Sequence, residues 1–174
     1  MLHPERKHIF NLQPKLRGKI LELRPLLAED FDDLFSVASD PLIWEQHPAN
    51  NRYQKTVFEN FFQDAINSGG ALVAIDSKSK NIIGSSRYHG YNPDKSEIEI
   101  GWTFLARSYW GGVYNNEMKR LMLEHAFKFV NSVIFVVGVG NIRSQRAVLK
   151  IGGKRVGTGK DDNSNESFIY RIHK

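Results

Sequence analysis

The sequence predicts an α/β (α+β) domain with a mixed, mostly antiparallel central sheet of about six or seven strands, flanked by about four helices. Strand-like and helix-like segments occur in the order strand, two helices, three strands, helix, strand, helix, two strands. The three consecutive strands are separated by short turns, which favours an antiparallel meander. The third of these strands, the next helix and the next strand form a crossover, and a crossover of this kind joins parallel neighbours. One locally parallel pair is therefore expected within the sheet.

The first half of the chain supplies one strand and two helices. Residues 20–26 have the pattern of a strand, which Pro25 is expected to close. A helix follows from about Glu29, because apolar residues recur at helical spacing after it. Residues 56–59 have the form of a capping box, which predicts the start of a second helix. Gly69, followed by another glycine, predicts the end of that helix.

The second half supplies the remaining strands and two more helices. The strands are expected at residues 71–75, 82–89, 97–105, 132–137, 154–158 and 166–172. A long amphipathic helix lies between the third and fourth of these strands, with Met118, Met122 and His125 on its apolar face and Glu117 on the opposite one. Asn141 is expected to open the last helix.

Composition restricts the classes of protein to which the chain can belong. The 174 residues are 41% hydrophobic and 25% charged, which is typical of one folded domain, and that domain is expected to span residues 1–174. No cysteine is present, so disulfides, thiolate metal sites and a cysteine nucleophile are excluded. The six histidines show no metal-ligand spacing, and no metal is expected.

Targeting signals and charge bear on location and partners. Residues 1–7 lack the apolar core of a signal peptide, and the longest apolar run, residues 133–139, is far shorter than the ~20 residues that cross a bilayer. We therefore expect a cytoplasmic protein with no membrane partner. The formal charge of +5 suits a polyanionic ligand, but the basic residues are scattered among acidic ones, which disfavours nucleic acid as a partner.

The most informative segment, residues 102–117, runs from a strand through a turn with two glycines into the amphipathic helix. Backbone N–H groups at the start of a helix lack intrahelical partners and lie at the positive end of its dipole. Gly111 and Gly112 leave this backbone open to close approach by a phosphate. The segment therefore predicts a pyrophosphate-binding turn, although two glycines before a helix also occur in plain turns.

This turn resembles the pyrophosphate loop of the GNAT acetyltransferases, and Tyr109-Trp110-Gly111 is similar to the RimJ/RimL type. The resemblance extends over most of the chain, in the order of the family's elements. It is carried by Leu23-Arg24-Pro25-Leu26 with Glu29-Asp30, by Asp40-Pro41, by Glu99-Ile100-Gly101-Trp102, by Asn141-Ile142-Arg143-Ser144 and by Lys150-Ile151-Gly152. On these residues the chain is identified as a member of the GNAT superfamily, which implies the GNAT fold.

The resemblance implies acetyl-CoA as the acyl-donor co-substrate, with its pantetheine arm along the backbone of Phe104 and Leu105. The cofactor-binding residues that it implies are Phe104, Leu105, Tyr109, Trp110, Gly111, Gly112, Val113, Tyr114, Asn115, Asn116, Asn141 and Ser144. The family loop reads Gly-x-Gly followed two residues later by Gly or Ala, whereas this chain has Val113 and Asn115 at those positions. A side chain at position 113 can narrow the approach to the backbone.

Acetyl transfer by direct attack needs a neutral amine, donors for the oxyanion and a proton for the departing thiolate. Glu97 and Glu99 lie two residues apart on a predicted strand and so share one face. Family position implies one of them as the base, acting through water. The alternative is that both carboxylates decorate a solvated sheet face.

Many relatives protonate the thiolate with a tyrosine on the last helix, and this chain has none between residues 141 and 152. RimL-like relatives place a serine three residues after the asparagine, which implies Ser144 as the proton donor. The alternative is that Asn141 caps the helix and Ser144 is an ordinary first-turn residue.

The amine acceptor stays open at this point: a protein N-terminus, or a small-molecule amine such as an amino acid, a polyamine or an antibiotic. Bringing an α-amine to its neutral form at pH 7 costs about 1 kcal/mol, against about 4.6 kcal/mol for a lysine amine, which slightly favours an α-amine. Glu45 or His47 could meet an amine, and Arg87 and Tyr88 an acidic substrate. His125 is expected to be a core histidine, because it lies on the apolar stripe.

Two other functions compete with acetyl transfer. Val113 and the absent tyrosine suggest a non-catalytic acyl-CoA-binding module of the same fold. A basic nucleic-acid-binding protein would lack CoA binding, and its affinity would fall steeply with salt. A RimL-like homodimer is compatible with the resemblance.

Overall fold

The computed structural model describes residues 9–174 and confirms the predicted α/β class. The strands are β1 (Leu16–Arg17), β2 (Leu21–Pro25), β3 (Ala71–Asp76), β4 (Ile82–Asn92), β5 (Glu97–Leu105), β6 (Ser132–Gly138), β7 (Lys154–Lys160) and β8 (Glu166–His173). The helices are α1 (Phe31–Ala38), α2 (Pro41–Trp44), α3 (Lys55–Ser68), α4 (Val113–Ala126) and α5 (Ile142–Lys150). No signal peptide is expected in residues 1–7, and these residues lie outside the described part. Within that part, no helix combines the length and the hydropathy that crossing a membrane requires.

The eight strands of the described residues form one sheet in the order β1-β2-β3-β4-β5-β6-β8-β7. Neighbouring strands are antiparallel except β5 and β6, which are parallel. α4 connects β5 to β6 and forms the crossover that a parallel pair requires. The antiparallel meander and the single parallel pair expected from the sequence are therefore confirmed.

The structure adds one strand and one helix to the expected set, and it corrects one helix start. β1 has two residues and α2 one turn, so neither is long enough to produce a recognisable hydrophobic period. α3 begins at Lys55 after Gln54, which makes no side-chain cap. The capping-box prediction is wrong, because Thr56 already lies inside the first turn. Gly69 ends α3 with a left-handed φ of 65°, as expected.

Helices cover both faces of the sheet, and β5 contributes to both cores. Ile98 and Ile100 point to the face that α4 covers, where they pack with Met118. Phe104 points to the other face, where it packs with Phe58 of α3. We call these the α4 face and the α3 face. The alternation of side chains along a strand thus places neighbouring residues of β5 in different environments.

β5 and β6 pair only over their first residues, from Glu97–Ser132 to Glu99–Ile134, and then separate. Where the separation starts, β5 carries a bulge in which Trp102 and Thr103 together face the single residue Ser86 of β4. Trp102 has a left-handed φ of 51°, which is unusual for a residue with a side chain. Bulges bend the strand that contains them, and this one borders the opening between β5 and β6.

The start of α4 is fixed to the sheet by Glu117, which was expected on the polar side of the helix. Its carboxylate accepts hydrogen bonds from the backbone N–H groups of Lys19 at 2.8 Å, Ile20 at 2.8 Å and Leu21 at 3.0 Å. Charge-assisted bonds of this kind are stronger than neutral ones. The position of the helix N-terminus is thereby set relative to β2.

Candidate active site

A cleft of about 550 Å³ opens where β5 and β6 separate. The predicted cofactor residues that line it are Phe104, Leu105, Tyr109, Trp110, Gly111, Gly112, Asn115, Asn116, Asn141 and Ser144. Two predicted residues are not part of the lining. Val113 is 67% exposed, and the Tyr114 hydroxyl donates to Asp76 Oδ1 at 2.8 Å. The cleft therefore brings together residues from β5, the α4 start and α5.

The start of α4 has the backbone geometry of an anion site. Gly111 and Gly112 have φ values of 114° and 103°, and no atom lies within 4 Å of the place where a Cβ of Gly111 would be. The first backbone hydrogen bond of the helix runs from the Asn116 N–H to the Gly112 carbonyl at 2.8 Å. The N–H groups of residues 113–115 precede it and so have no partner within the helix. These donors and the helix dipole favour a bound anion.

Basic side chains of α5 stand beside this helix start. The Arg143 guanidinium lies 4.0 Å from the centroid of the Trp110 ring, and the Trp110 indole donates to the Leu105 carbonyl at 2.9 Å. Arg146 and Lys150 also line the cleft. A polyanion in the cleft would therefore meet cationic side chains as well as backbone N–H groups.

Asn141 is the N-cap of α5, as predicted. Its Oδ1 accepts a hydrogen bond from the Ser144 N–H at 3.2 Å. The cap uses the backbone of Ser144 and leaves its hydroxyl out of the capping interaction. A second N–H of this turn, that of Arg143, donates to Gln46 Oε1 at 3.0 Å and ties α5 to the loop after α2. Ser144 is thus held on a turn that is anchored at two points.

Glu97 is held by structural interactions. Its carboxylate accepts hydrogen bonds from Ser132 Oγ at 2.9 Å and from Arg171 Nε at 2.8 Å. The salt bridge with Arg171 joins the start of β5 to β8 across β6. A carboxylate bound in this way is a poor candidate for a base that must exchange protons with a substrate.

Glu99 has a different environment, although it lies on the same strand. It is half-buried on the α3 face, opposite His89 of β4. Burial raises the pKa of Glu99 to about 7, Asp162 adds to the rise, and the positive charge of Arg87 opposes it. A carboxyl group with a pKa close to the working pH is suited to general base catalysis.

A second cavity, of about 560 Å³, lies on the α3 face between α3, β4, β5 and the loop after β7. Arg52 and Trp102 line both this cavity and the cleft, so the two spaces adjoin. Arg87 lines the second cavity, so it is placed where it could contact an acidic substrate. Tyr88 does not, because its hydroxyl donates to the Met122 carbonyl at 2.6 Å on the α4 face.

The two candidate amine contacts after α2 are placed differently. His47 lines the cleft, and burial together with the nearby Arg52 charge lowers its pKa to about 4. Its Nδ1 accepts a hydrogen bond from the Ala49 N–H at 2.9 Å, so the proton of the neutral ring is on Nε2. Glu45 is exposed and lies 3.9 Å from the Arg143 guanidinium. The His47 ring is therefore neutral at pH 7, and Glu45 lines neither of the two cavities.

Comparison with known proteins assigns the chain to a family. A family model described as Acetyltransferase (GNAT) domain matches residues 21–154. The chain belongs to this family. As a GNAT acetyltransferase it is an enzyme of acetyl transfer, and the family uses acetyl-CoA as donor and amines as acceptors. No curated protein sequence matches it.

Solved structures share the fold of this GNAT acetyltransferase at low sequence identity. A GCN5-related N-acetyltransferase from Brucella melitensis is 18% identical with a TM-score of 0.81, covering 92% of this chain and 79% of the other. An acetyltransferase of the GNAT family from Bacillus anthracis is 20% identical with a TM-score of 0.75, covering 92% and 98%. RimJ of Mycobacterium smegmatis in complex with CoA-disulfide is 16% identical with a TM-score of 0.69, covering 92% and 86%.

Sequence reasoning missed a buried lysine of this GNAT acetyltransferase. Lys119 of α4 lines the cleft. Its Nζ donates hydrogen bonds to Thr103 Oγ1 and, at 3.4 Å, to Ser86 Oγ, the two hydroxyl groups at the bulge of β5. Burial lowers the pKa of Lys119 to about 7. The spacing in the sequence indicates the burial of Lys119, because Lys119 lies three residues before Met122 and seven before Ala126, both on the buried side of α4.

Arg52 and Trp102 were also missed as site residues, and for these no local signal exists. Arg52 lies in the irregular segment between α2 and α3, whose burial depends on the tertiary fold. His125 is buried, as predicted, and its Nε2 lies 2.7 Å from the Asn11 carbonyl. In the described range, 9–174, no three His, Asp or Glu side chains are grouped in a way that could hold a metal.

Proposed function

We propose that this GNAT acetyltransferase transfers the acetyl group of acetyl-CoA to a primary amine by direct attack of the amine on the thioester. The acceptor is a small-molecule amine or a protein N-terminus. The observation that carries the proposal is the junction of the two cavities at Arg52 and Trp102. A donor bound in the cleft and an amine bound in the second cavity would meet there, close to Glu99 on the same strand.

The residues of the cleft fit acetyl-CoA. The positive φ angles of Gly111 and Gly112 and the N–H groups of residues 113–115 suit the pyrophosphate. The edge of β5 at Phe104 and Leu105 is the proposed support for the pantetheine arm. The departure from the family loop at Val113 does not narrow the cleft, because that side chain is exposed outside its lining.

Two side chains of the site are proposed to move protons. When bound, acetyl-CoA supplies a thioester carbonyl open to a neutral amine and a thiolate as leaving group. Glu99 would take a proton from the incoming ammonium group through water, since about half of a carboxyl group with a pKa near 7 is ionised at neutral pH. The Ser144 hydroxyl, held by the Asn141 cap, would donate to the departing sulfur.

A non-catalytic acyl-CoA-binding module would need the cleft alone. The adjoining cavity and the half-buried Glu99 favour catalysis, because binding of the donor requires neither. The proposal treats residues 1–174 as one catalytic domain and assigns the role of base to Glu99, since Glu97 is bound to Arg171.

Donor binding is tested by thermal unfolding with acetyl-CoA, CoA or ATP. A ligand at 100 times its Kd stabilises the folded protein by about 2.7 kcal/mol, which gives a clear rise in Tm. We expect this rise with acetyl-CoA and with CoA, and a much smaller one with ATP. Equal shifts with all three would indicate a general nucleotide site, and no shift at saturation would contradict the proposed donor.

Replacing Ser144 by alanine is expected to lower kcat about tenfold while the Tm shift with CoA is retained. The effect is smaller than the 10²–10⁴-fold that proton transfer by a positioned side chain usually contributes, because a thiol with a pKa of about 8.5 is already a good leaving group at neutral pH. The measurement is release of free thiol from acetyl-CoA with an amine acceptor. Ser36→Ala, an exposed serine of α1, is the matched control and should leave kcat unchanged. Full turnover in the Ser144 variant would remove this serine from the mechanism.

A further inference from the structure

Two arginines that line the second cavity are buried without a salt-bridge partner. Arg52 is 8% exposed and Arg87 is 5% exposed. Neither guanidinium forms a salt bridge with any of residues 9–174, and the Nε of Arg87 is buried with no hydrogen-bond partner there. Buried charges in proteins are normally paired, since the loss of solvation makes an unpaired one unfavourable.

Aromatic rings provide only part of the compensation for these charges. The Arg52 guanidinium lies 4.6 Å from the Phe61 ring centroid, and that of Arg87 lies 4.5 Å from the Trp102 ring centroid. These contacts stabilise a cation from its flat face. A ring face supplies no carboxylate or carbonyl oxygen, so it does not replace an acceptor for the guanidinium N–H groups.

The nearest neighbour of Arg52 does not accept its protons. The Nε2 of His47 lies 3.4 Å from Arg52 Nη1, but with Nδ1 accepting from the Ala49 N–H the neutral ring carries its proton on Nε2. Two N–H groups then face each other. The arrangement leaves Arg52 without a hydrogen-bond acceptor on that side.

The two arginines also act on each other. Burial, together with the positive charge of Arg87, lowers the pKa of Arg52 to about 10. Burial lowers the pKa of Arg87 to about 10 as well. Both stay protonated at neutral pH, so two like charges share one buried region of the protein.

None of the carboxylates of this region forms a salt bridge with the two arginines. Glu99 is half-buried, and its charge acts on Arg87 only from a distance. Asp161 accepts hydrogen bonds from the N–H groups of Asn163 and Asn165, and Asp162 is exposed, 3.9 Å from His89. Asp64 is exposed on α3. Each lies beyond salt-bridge distance from both guanidiniums, so these acids reduce the local potential without occupying the guanidinium N–H groups.

We propose that Arg52 and Arg87 together bind a carboxylate of the acceptor, so that the amine substrate is a carboxylate-bearing one such as a free amino acid. This inference rests on the proposed acetyl transfer and specifies its acceptor. The planar guanidinium fork matches a carboxylate. Because the nearby carboxylates reduce the positive potential around the two arginines, a monoanionic carboxylate matches this site better than a dianionic phosphate. Arg52 borders the cleft as well as the second cavity, so a carboxylate held there leaves an adjacent amine near the thioester and Glu99.

The first test compares each of the common amino acids with its own C-terminal amide, by thiol release from acetyl-CoA. The amide keeps the side chain and the amine but has no carboxylate. Because losing the carboxylate also lowers the pKa of the amine, kcat/KM is expressed per concentration of neutral amine. We expect at least one pair in which kcat/KM for the acid exceeds that for the amide by about 30-fold or more. A peptide amide with Asp at its second position, compared with its Asn counterpart, distinguishes a side-chain carboxylate from that of a free amino acid. Equal rates across all pairs, or a preference for an aminoalkyl phosphate, would overturn the proposal while leaving acetyl transfer intact.

The second test removes the charges while keeping the side-chain volume, in Arg52→Met and Arg87→Met. Each variant should raise KM for the preferred acid by about tenfold or more, reduce its advantage over the amide towards one, and leave the Tm no lower than that of the unsubstituted protein. Arg120→Met, an exposed arginine of α4, is the matched control. An acid-over-amide preference that survives both substitutions would contradict the assignment.

Failure of the proposed function would be recognised separately. If no amine is acetylated, the proposed acetyl transfer fails, and the carboxylate site is still tested by calorimetry of the CoA complex with the amino acids and their amides. Tighter binding of acids than of amides, lost in Arg87→Met, would support the site. Equal binding would overturn it.

Discussion

Replacing Glu99 by glutamine is expected to lower kcat/KM for the amine acceptor by about 10²–10⁴-fold, the range that a positioned general base contributes. The amide keeps the size of the side chain but accepts no proton. The affinity for acetyl-CoA should not change, because Glu99 is outside the lining of the cleft. Initial rates of thiol release and the Tm shift with CoA give the two measurements.

The pH dependence separates a base from a merely structural carboxyl group. A base acts in its ionised form, so kcat/KM should fall as pH decreases through the Glu99 pKa of about 7. The acceptor adds its own rise up to the pKa of its amine, which is about 8 for a peptide α-amine and higher for a free amino acid, and which depends on the substrate and not on the enzyme. In Glu99→Gln the inflection near 7 should disappear and that of the amine should persist.

Glu97→Gln is the matched control for this prediction. It weakens the interaction with Arg171 and should lower the Tm, but it should keep the inflection near pH 7. If the Glu97 variant loses the inflection and the Glu99 variant keeps it, the roles of the two glutamates are reversed.

Replacing Lys119 by methionine is expected to stabilise the protein at neutral pH by on the order of 3 kcal/mol. Lys119 is buried without an acidic partner, and methionine fills a similar volume without a charge or a donor. The measurement is chemical denaturation of the variant and the unsubstituted protein. Lys95→Met, in the exposed turn between β4 and β5, should have little effect.

The sign of the pH effect follows from the lowered pKa of Lys119. Between its folded value of about 7 and its ordinary value of 10.5, the unfolded chain binds the proton and the folded protein does not. The free energy of unfolding should therefore rise with pH across this window, and the rise should be absent in Lys119→Met. Glu99, whose pKa is raised, acts in a lower window, from 4.5 to about 7, where it makes stability fall as pH rises. An unchanged slope above pH 7 in the methionine variant would show that Lys119 stays charged in the fold.

The order of strands and helices could be predicted from the sequence because each long element carries its own hydrophobic period and its own turn residues. The α4 start could be predicted for the same reason, since the two glycines and the helix are contiguous. β1 and α2 could not, because elements of two and four residues have no period.

The roles of charged residues depended on contacts that are distant in the chain. Glu97 and Glu99 have equivalent positions in the sequence. The register of β5, β6 and β8 places Arg171 level with Glu99, across Ile134, yet the Arg171 side chain reaches diagonally to the Glu97 carboxylate. Arg52 and Arg87 are 35 positions apart in the numbering and meet through α3 and the sheet. Burial of this kind is a property of the folded chain, so no local pattern announces it.

The strand order places β8 between β6 and β7, although β7 is synthesised first. β6 pairs with β8 along its whole length, from Ser132–His173 to Gly138–Ser167. On the ribosome, the β6 edge must therefore stay without its partner while α5, β7 and β8 are being translated. An open edge of this kind can pair with another chain. The interval between the emergence of β6 and that of β8 is thus a period in which nascent chains are exposed to aggregation and can benefit from a chaperone.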